Sequence, residues 1–261
     1  SICIFSIPFV VLKILFIAVL ISCFSTSTFA WGKEGHAIVA EVAYKYMDKN
    51  TKAIVTKYLD GMSIQDAANW MDNIKDDRSM DYMKPYHYVN FDKGQEVKHE
   101  HGGNILDELE KSMNELKNYK AMSDDDVKQK IKMIFHLVGD LHQPLHVGYG
   151  TVNGGNTVQL NFEGKGTNLH RFFDRGIIRN QNITSKVVLK ENKTCKSNRK
   201  KIASSSVIDW ANQSRSELNS IYDLNGAKVS QDYVNKFSPL ITKQLYDAGV
   251  RLAAIMNSTF K

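Results

Sequence analysis

Eight histidines are spread through the 261-residue chain, and the spacing of a few of them against aspartates could do chemistry. His136 and Asp140 stand four apart, among Phe135, Leu137, Val138 and Leu141. His170 and Asp174 repeat the interval, and His146 follows Pro144 closely. On a helix, residues four apart project from one side, so an imidazole nitrogen and a carboxylate oxygen converge without backbone rearrangement. That combination suits a divalent cation. One such pair alone is more often a surface hydrogen bond. Two pairs with a further histidine nearby favour the metal. A charged aspartate in an apolar helix costs several kcal/mol unless something compensates it, and a dication would. His142, two residues beyond Asp140, points roughly 160° away around a helix and is left out of the ligand set.

The elements that must carry these residues are mostly helical. Apolar residues recur at helical spacing from Gly35 to Met47, through Ile38, Val42, Ala43 and Tyr46. Ser63 is placed to cap a helix running through Ala67, Ala68 and Met71, and Asn104 to Tyr119 has an amphipathic pattern. Ser123 followed by Asp124, Asp125 and Asp126 gives a helix start with an acidic first turn, and Pro144 stops that helix. Val158, Leu160 and Phe162 alternate with polar residues between Asn153-Gly154-Gly155 and Gly164, which predicts a short hairpin. Helices follow over 205–220 and from Ser238-Pro239 to Met256, with Arg179 to Ser204 between them reading as a long polar surface loop. The expected fold class is all-α: one helical domain over residues 31–261 with one small β-hairpin.

Composition narrows the class further. Charged residues at 24% and aromatic residues at 10% belong to a globular protein and exclude wholesale disorder. A net charge of +6 over this length suits a polyanionic partner no better than it suits a merely soluble basic surface. Residues 1–30 read as a secretory signal: Lys13, the apolar run Ile14 to Phe24, then Ser25-Thr26-Ser27-Thr28-Phe29-Ala30 with cleavage after Ala30. An uncleaved anchor and lipidation of Cys23 in Leu20-Ile21-Ser22-Cys23 are the alternatives. Cys3 and Cys23 fall in the leader, so the mature chain keeps Cys195 and has no intramolecular disulfide. Sequons begin at Asn182, Asn192, Asn212 and Asn257, and in an Asn-, Ser- and Thr-rich chain such triplets arise by chance.

Cleavage after Ala30 would leave Trp31-Gly32-Lys33-Glu34-Gly35-His36 at the start. A terminal amine titrates near pH 8, so a metal can displace its proton, and the Trp31 carbonyl can close a chelate. On composition alone, Trp31 reads as a core residue and His36 as a cap or packing residue.

Taken together, these residues resemble the zinc-dependent, single-strand-specific nuclease family. Its members share Trp-Gly-x-x-Gly-His, Trp-x-Asp, His-Φ-Φ-Asp/Asn, His-Φ-Φ-Gly-Asp-x-x-Gln-Pro-Leu-His, Gly-Gly-Asn and Asn-Leu-His-x-x-x-Asp elements. This chain has Trp31 to His36, Trp70-Met71-Asp72, His87-Tyr88-Val89-Asn90, the run from His136 to His146, Gly154-Gly155-Asn156 and Asn168 to Asp174, in that order. The resemblance implies a predominantly helical fold with three Zn²⁺ in a cleft. It implies one site from Asp72, His87, His136 and Asp140, a second from Trp31, His36 and the bridging Asp140, and a third from His146, His170 and Asp174. Nitrogen and oxygen donors without thiolates agree with hydrolytic zinc.

The implied activity is hydrolysis of single-stranded DNA and RNA to 5′-phosphorylated nucleotides, with 3′-nucleotidase activity, by a secreted or periplasmic monomer without stable membrane association. Asp72, Lys75 and Asp140 would carry the chemistry. Lys75 stands where the family commonly has an arginine assisting the phosphate. It keeps the charge and loses the bidentate fork, and Arg78 is a possible substitute. Phe172-Phe173 precedes Asp174 where a tryptophan is usual. Tyr88 is the candidate base-stacking platform, Asn90 the partner of a base edge, and Asn156 a further substrate contact; a core tyrosine is an equal reading of Tyr88. Lys193, Lys196, Arg199, Lys200 and Lys201 could steer polyanions, although a solvated loop is the simpler reading. The competing functions are a zinc phospholipase C, whose last ligand is typically glutamate, and a non-catalytic zinc-binding secreted protein.

Overall fold

The structure, a computed structural model, describes residues 31–100 and 102–261. The leader read from residues 1–30 lies outside them. Three helices come first: α1 (Lys33–Tyr46), α2 (Lys49–Leu59) and α3 (Ile64–Asn73). A 3₁₀ segment, Arg78–His87, leads to α4 (Ile105–Leu116) and α5 (Asp124–Leu141). Short 3₁₀ segments at Pro144–Val147 and Gly150–Gly155 precede β1 (Gln159–Phe162) and β2 (Lys165–Asn168). Then come α6 (Leu169–Arg171), a π turn at Phe172–Gly176, α7 (Ile177–Asn180), α8 (Ser185–Asn192) and α9 (Lys196–Ala203). The chain continues through α10 (Val207–Ser216), α11 (Leu218–Ile221), β3 (Lys228–Val229) and the long α12 (Gln231–Thr259).

Helix α5 is the element around which the others pack, touching α1, α2, α3, α4 and α12. Its start is as expected: the Ser123 hydroxyl accepts from the Asp126 amide at 3.1 Å, and three aspartates fill the first turn. From Met133 to Leu141 every residue is buried, so its last turns form a core helix rather than an amphipathic one. His136 and Asp140 are thus placed where their polarity must be met by other protein groups or by a ligand. Ser63 caps α3 in the same way as Ser123 caps α5, accepting from the Asp66 amide at 3.0 Å.

The expected hairpin forms: β1 pairs antiparallel with β2, from Gln159 opposite Asn168 to Phe162 opposite Lys165. Its two turn residues, Glu163 and Gly164, have φ of 51° and 79°, the left-handed pair of a tight hairpin turn. The sheet gains a third strand the sequence did not announce, β3, parallel to β1. Two residues are too few to show a period.

Three expectations about helices need correcting. The stretch read as a loop from Arg179 to Ser204 contains α8 and α9. Its polarity misled because α8 buries one residue, Val188, and α9 none, so neither needs an apolar stripe. The final helix starts at Gln231, capped by Ser230, and Pro239 lies inside it. Pro239 and Asn235, whose carbonyl the proline ring deprives of a partner, are not buried, so water can replace the lost bond. The helix expected over 205–220 is also interrupted at Glu217, between α10 and α11.

Helices α1 and α12 approach closely because Gly249 faces Val42. A Cβ at position 249 would lie 2.4 Å from Val42 Cγ1 and 3.1 Å from the Ala43 amide nitrogen. Gly249→Ala should therefore destabilise the fold by about 1–3 kcal/mol through overpacking, despite the better helix propensity of alanine. Calorimetry should show Tm lowered by a few degrees; an unchanged or raised Tm would mean that the two helices part at no cost.

Candidate metal centre

Several segments of the fold contribute one or two side chains each to a common interior. The segment entering α1 brings Trp31, and α1 brings His36. Asp72 lies in the last turn of α3, with Lys75 just beyond it. The 3₁₀ segment ends on His87, α5 supplies His136 and Asp140, Pro144–Val147 supplies His146, and α6 with the π turn supplies His170 and Asp174. Eight of these ligand candidates are buried and Asp72 is nearly so, with 8% of its side chain exposed. Asp174 lies in the π turn, buried four residues after His170.

The structure brings the sequence-predicted donors together in three groups, within each of which the candidate ligand atoms lie within 4.8 Å of one another: His87 with His136 and Asp140, His36 with Asp72 and His136, and His146 with His170 and Asp174. His87 Nδ1 is 2.9 Å and His136 Nε2 3.0 Å from Asp140 Oδ2, while His36 Nε2 is 3.1 Å from Asp140 Oδ1. Asp140 therefore stands between two histidine sets. Asp72 Oδ1 lies 3.7 Å from His136 Nε2 and pairs with Lys75 Nζ at 2.5 Å. Arg78, the possible substitute for Lys75, is exposed. Close approach of α1 to α5 depends on Gly139, since a Cβ there would stand 2.7 Å from His36 Nδ1. The His36 and His136 rings stack at 4.0 Å.

Hydrogen bonds to backbone carbonyls set the tautomers. His136 Nδ1 donates to the Ala68 carbonyl at 2.7 Å, His146 Nδ1 to the His87 carbonyl at 2.6 Å, and His170 Nδ1 to the Gly154 carbonyl at 2.8 Å. In a neutral ring this leaves Nε2 as an acceptor aimed inward, the usual arrangement behind a metal-bound histidine. His146 and His170 then face each other with Nε2 atoms 3.2 Å apart, two lone pairs with no proton between them. Asp174 Oδ2, Asp140 Oδ1 and His36 Nε2 make no hydrogen bond despite full burial. Buried acceptors converging without donors cost free energy that a cation removes. The residues present fit metal ions, and each of the three groups could hold one.

The electrostatics agree. Burial raises the Asp174 carboxyl well above the usual carboxylate range, and the Gln143 hydrogen bond offsets that only in part. Burial also tends to raise Asp140, but His136 and His146 hold it well below the ordinary value. Burial lowers His87 to about 4, His146 to about 3 and His170 to about 4, so all three rings are neutral at pH 7. His136 goes the other way, because Asp140 and Asp72 outweigh its desolvation.

Several supporting residues were not singled out from the sequence. Gln143 donates to Asp174 Oδ1 at 2.6 Å and accepts from the Leu145 amide at 2.6 Å, tying the third group to the turn after α5. Ser214 donates to the Leu141 carbonyl at 2.7 Å, and Gln244 to the His142 carbonyl at 2.9 Å. His142 does face away from the ligands, as expected: its Nδ1 donates to Val138 and its Nε2 accepts from Arg251 at 2.6 Å. These groups occupy carbonyls that the end of a helix leaves free. Gln143 at least sits within the recognised run from His136 to His146. Nothing local in the sequence marks Ser214, Gln244 or Arg251.

A pocket opens beside the third group, lined by His87, Tyr88, Asn90, Asn153, Gly154 and Asn156 among others. Tyr88 is 39% exposed, which removes the core-tyrosine reading. Asn90 Oδ1 is buried without a hydrogen bond. The pocket floor is a tight loop in which Asn153, Gly154 and Gly155 all have positive φ, and a Cβ on Gly154 would meet the Leu145 carbonyl at 2.7 Å.

A helical scaffold that gathers three His/Asp groups able to hold metal ions, with a polar pocket at their edge, has the donor set of a metal-dependent hydrolase. The S1/P1 Nuclease family profile matches residues 31–261, and the chain belongs to that family of metal-dependent nucleases. Endonuclease 4 of Arabidopsis thaliana is 27% identical to it over 88% of this chain and 89% of its own length. Endonuclease 2 of the same plant is 26% identical, covering 88% and 90%, and Nuclease S1 of Aspergillus oryzae 24%, covering 87% and 91%. The match favours a nuclease over the phospholipase C and non-catalytic readings. No helix among the described residues is long and apolar enough to cross a membrane.

The same burial makes the metal-free protein acid-sensitive. Five histidines, His36, His87, His142, His146 and His170, have folded pKa values below the ordinary 6.5. Between pH 6.5 and about 4 the unfolded chain therefore binds protons at these rings that the folded chain does not, and stability falls as pH falls. Asp174 opposes this, holding a proton when folded that it loses when unfolded, but it is one group against five. His136, whose pKa is raised, is protonated in both states below 6.5 and adds no slope there. After chelation, the urea midpoint should fall steadily over that window; a flat profile would contradict the buried neutral imidazoles.

Proposed function

We propose that residues 31–261 form a single secreted or periplasmic nuclease domain, released after Ala30, that binds three Zn²⁺. It hydrolyses single-stranded DNA and RNA to 5′-phosphorylated nucleotides and acts on 3′-nucleotides as well. It works as a monomer, without stable membrane association once the signal is removed. The observation that carries this reading is the pair of facing Nε2 lone pairs of His146 and His170 above the unpartnered Asp174 Oδ2. Asp72, His87, His136 and Asp140 would hold one zinc, Trp31 by its amine and carbonyl with His36 and Asp140 the second, and His146, His170 and Asp174 the third. When bound, zinc supplies Lewis acidity toward phosphoryl oxygens and lowers the pKa of water toward about 7.

The protein's own groups then have distinct tasks. Asp140 fixes the spacing of two sites because its two oxygens face different histidines. Asp72 shares its charge between His136 and Lys75, so Lys75 presents a cation at the edge of the cluster, where it can meet a phosphate oxygen as a point charge. Tyr88 offers its exposed ring to an unstacked base, which a single strand supplies more readily than a duplex. Asn90 and Asn156 line the same pocket and can bond a base edge.

The reading is tested by comparing phosphate-bearing products released from single-stranded DNA and from phosphatidylcholine, with Asp174→Ala alongside the unaltered protein. Turnover should be confined to the nucleic acid. Asp174→Ala should lose one zinc by elemental analysis and activity by at least about 100-fold, the upper end for merely removing a partner behind a metal ligand. Full hydrolysis with unchanged zinc content would remove the third site from the mechanism.

A further inference from the structure

The pocket beside the third group is walled by three stretches of chain, 87–90, 145–146 and 153–156, with His170 completing it. Tyr88 and Asn90 alternate with the buried Val89 and Phe91, as extended chain requires when one face lines a cleft and the other joins the core. Two backbone bonds join the first stretch to the second as they run on past the pocket. The Val89 amide donates to the His146 carbonyl at 2.9 Å, and the Phe91 amide to the Gly148 carbonyl at 3.1 Å. The third stretch lies against both, since a Cβ on Gly148 would stand 2.7 Å from Gly154 Cα, and one on Gly154 3.4 Å from Asn90 Oδ1.

Arg215, on α10, lies where the three meet. Its Nη1 donates to the Val147 carbonyl at 2.9 Å and the Gly148 carbonyl at 3.2 Å, and its Nη2 to the Phe91 carbonyl at 3.0 Å and to that of Asp92. The guanidinium also lies over the Tyr149 ring, 5.3 Å from its centroid, at the entry to the Gly150–Gly155 segment. Tyr149 in turn stacks on Tyr222, whose hydroxyl is 3.3 Å from where a Cβ on Gly155 would stand. Reading that pocket as the base site, we infer that Arg215 is a positioning residue for the substrate. Its fork fixes the separation of the first two stretches, and so the placement of Tyr88 and Asn90 against His146 and the Gly154 loop. Its four bonds outnumber the two backbone bonds between those stretches. A guanidinium presents its donors in one rigid plane and can hold carbonyls of two segments at once, whereas an ammonium on a flexible stem is a single point. His146 itself is held from elsewhere, its amide by the Gln143 carbonyl and its ring by the His87 carbonyl, so the metal group does not depend on the fork.

The test compares the zinc-loaded protein with R215K, which keeps the charge and loses the fork. Adenosine 5′-monophosphate and inorganic phosphate are titrated separately by calorimetry, so that the nucleoside and the anion are read apart and without turnover. In R215K the Kd of the nucleotide should rise about 10-fold, below the roughly 100-fold that a misplaced reacting group can cost. Zinc content, the Kd of phosphate, and kcat on a dinucleoside monophosphate should stay within about 2-fold while KM rises with the nucleotide Kd. An unchanged nucleotide affinity would overturn the inference. Equal weakening of both ligands, or loss of zinc, would do so too, by showing that Arg215 holds the fold at large. In R215A, millimolar methylguanidinium should restore nucleotide affinity where sodium chloride of equal ionic strength does not; equal recovery in both would assign the effect to salt and remove the fork. If the unaltered protein hydrolyses no nucleic acid, yet R215K weakens the nucleotide and spares phosphate, the nuclease reading fails and the positioning role stands.

Discussion

The fold is organised around a collection of buried acceptors that cannot satisfy one another. His146 and His170 turn lone pairs inward because their other ring nitrogens are committed to the His87 and Gly154 carbonyls. Asp140 and Asp174 add carboxylate oxygens to the same interior, and neither has enough donors around it. Such a cluster is unstable by itself and becomes favourable when dications are shared among its members. The core therefore has two parts, an apolar one that holds the helices together and a polar one whose stability is linked to ligand occupancy.

Precision in that polar part comes from outside it. Asp140 lies in the last turn of α5, where helix ends fray unless their carbonyls are met. Ser214 from α10 and Gln244 from α12 meet two of them, and they hydrogen-bond to each other at 3.0 Å. Gln143 extends the tie to Asp174. The turn carrying Asp140, Gln143 and His146 is thus gripped from one side by neutral hydrogen bonds and from the other by the ligand groups. Gly139 permits the close stacking of His36 that completes the arrangement.

Much of this was legible in the sequence. The intervals His136–Asp140 and His170–Asp174 marked two pairs that fall within His/Asp groups able to hold a metal ion, and the Ser123 and Ser63 caps placed the helices that carry three of the candidate ligands. Trp31, His36, Asp72 and His87 were recognisable through the family motifs and not through any local period, since their partners lie in other helices. What could not be read is of one kind. The π turn, the α8 and α9 helices and strand β3 lack a distinctive apolar period, because they bury few residues or are too short. The roles of Ser214, Gln244 and Arg251 exist only once distant segments meet. An unremarkable serine or glutamine in a helix gives no sign of which carbonyl it will reach.

The grip on α5 has a consequence for how the molecule is made. Gln244 and Arg251 reach His142 across 102 and 109 residues of chain, and all the proposed ligands precede them. A nascent chain that has already emerged through Asp174 carries every proposed ligand but lacks the helix that steadies the turn between them. Until that late helix emerges and docks, the turn lacks these partners, so the cutting site is unfinished while the chain is still being made.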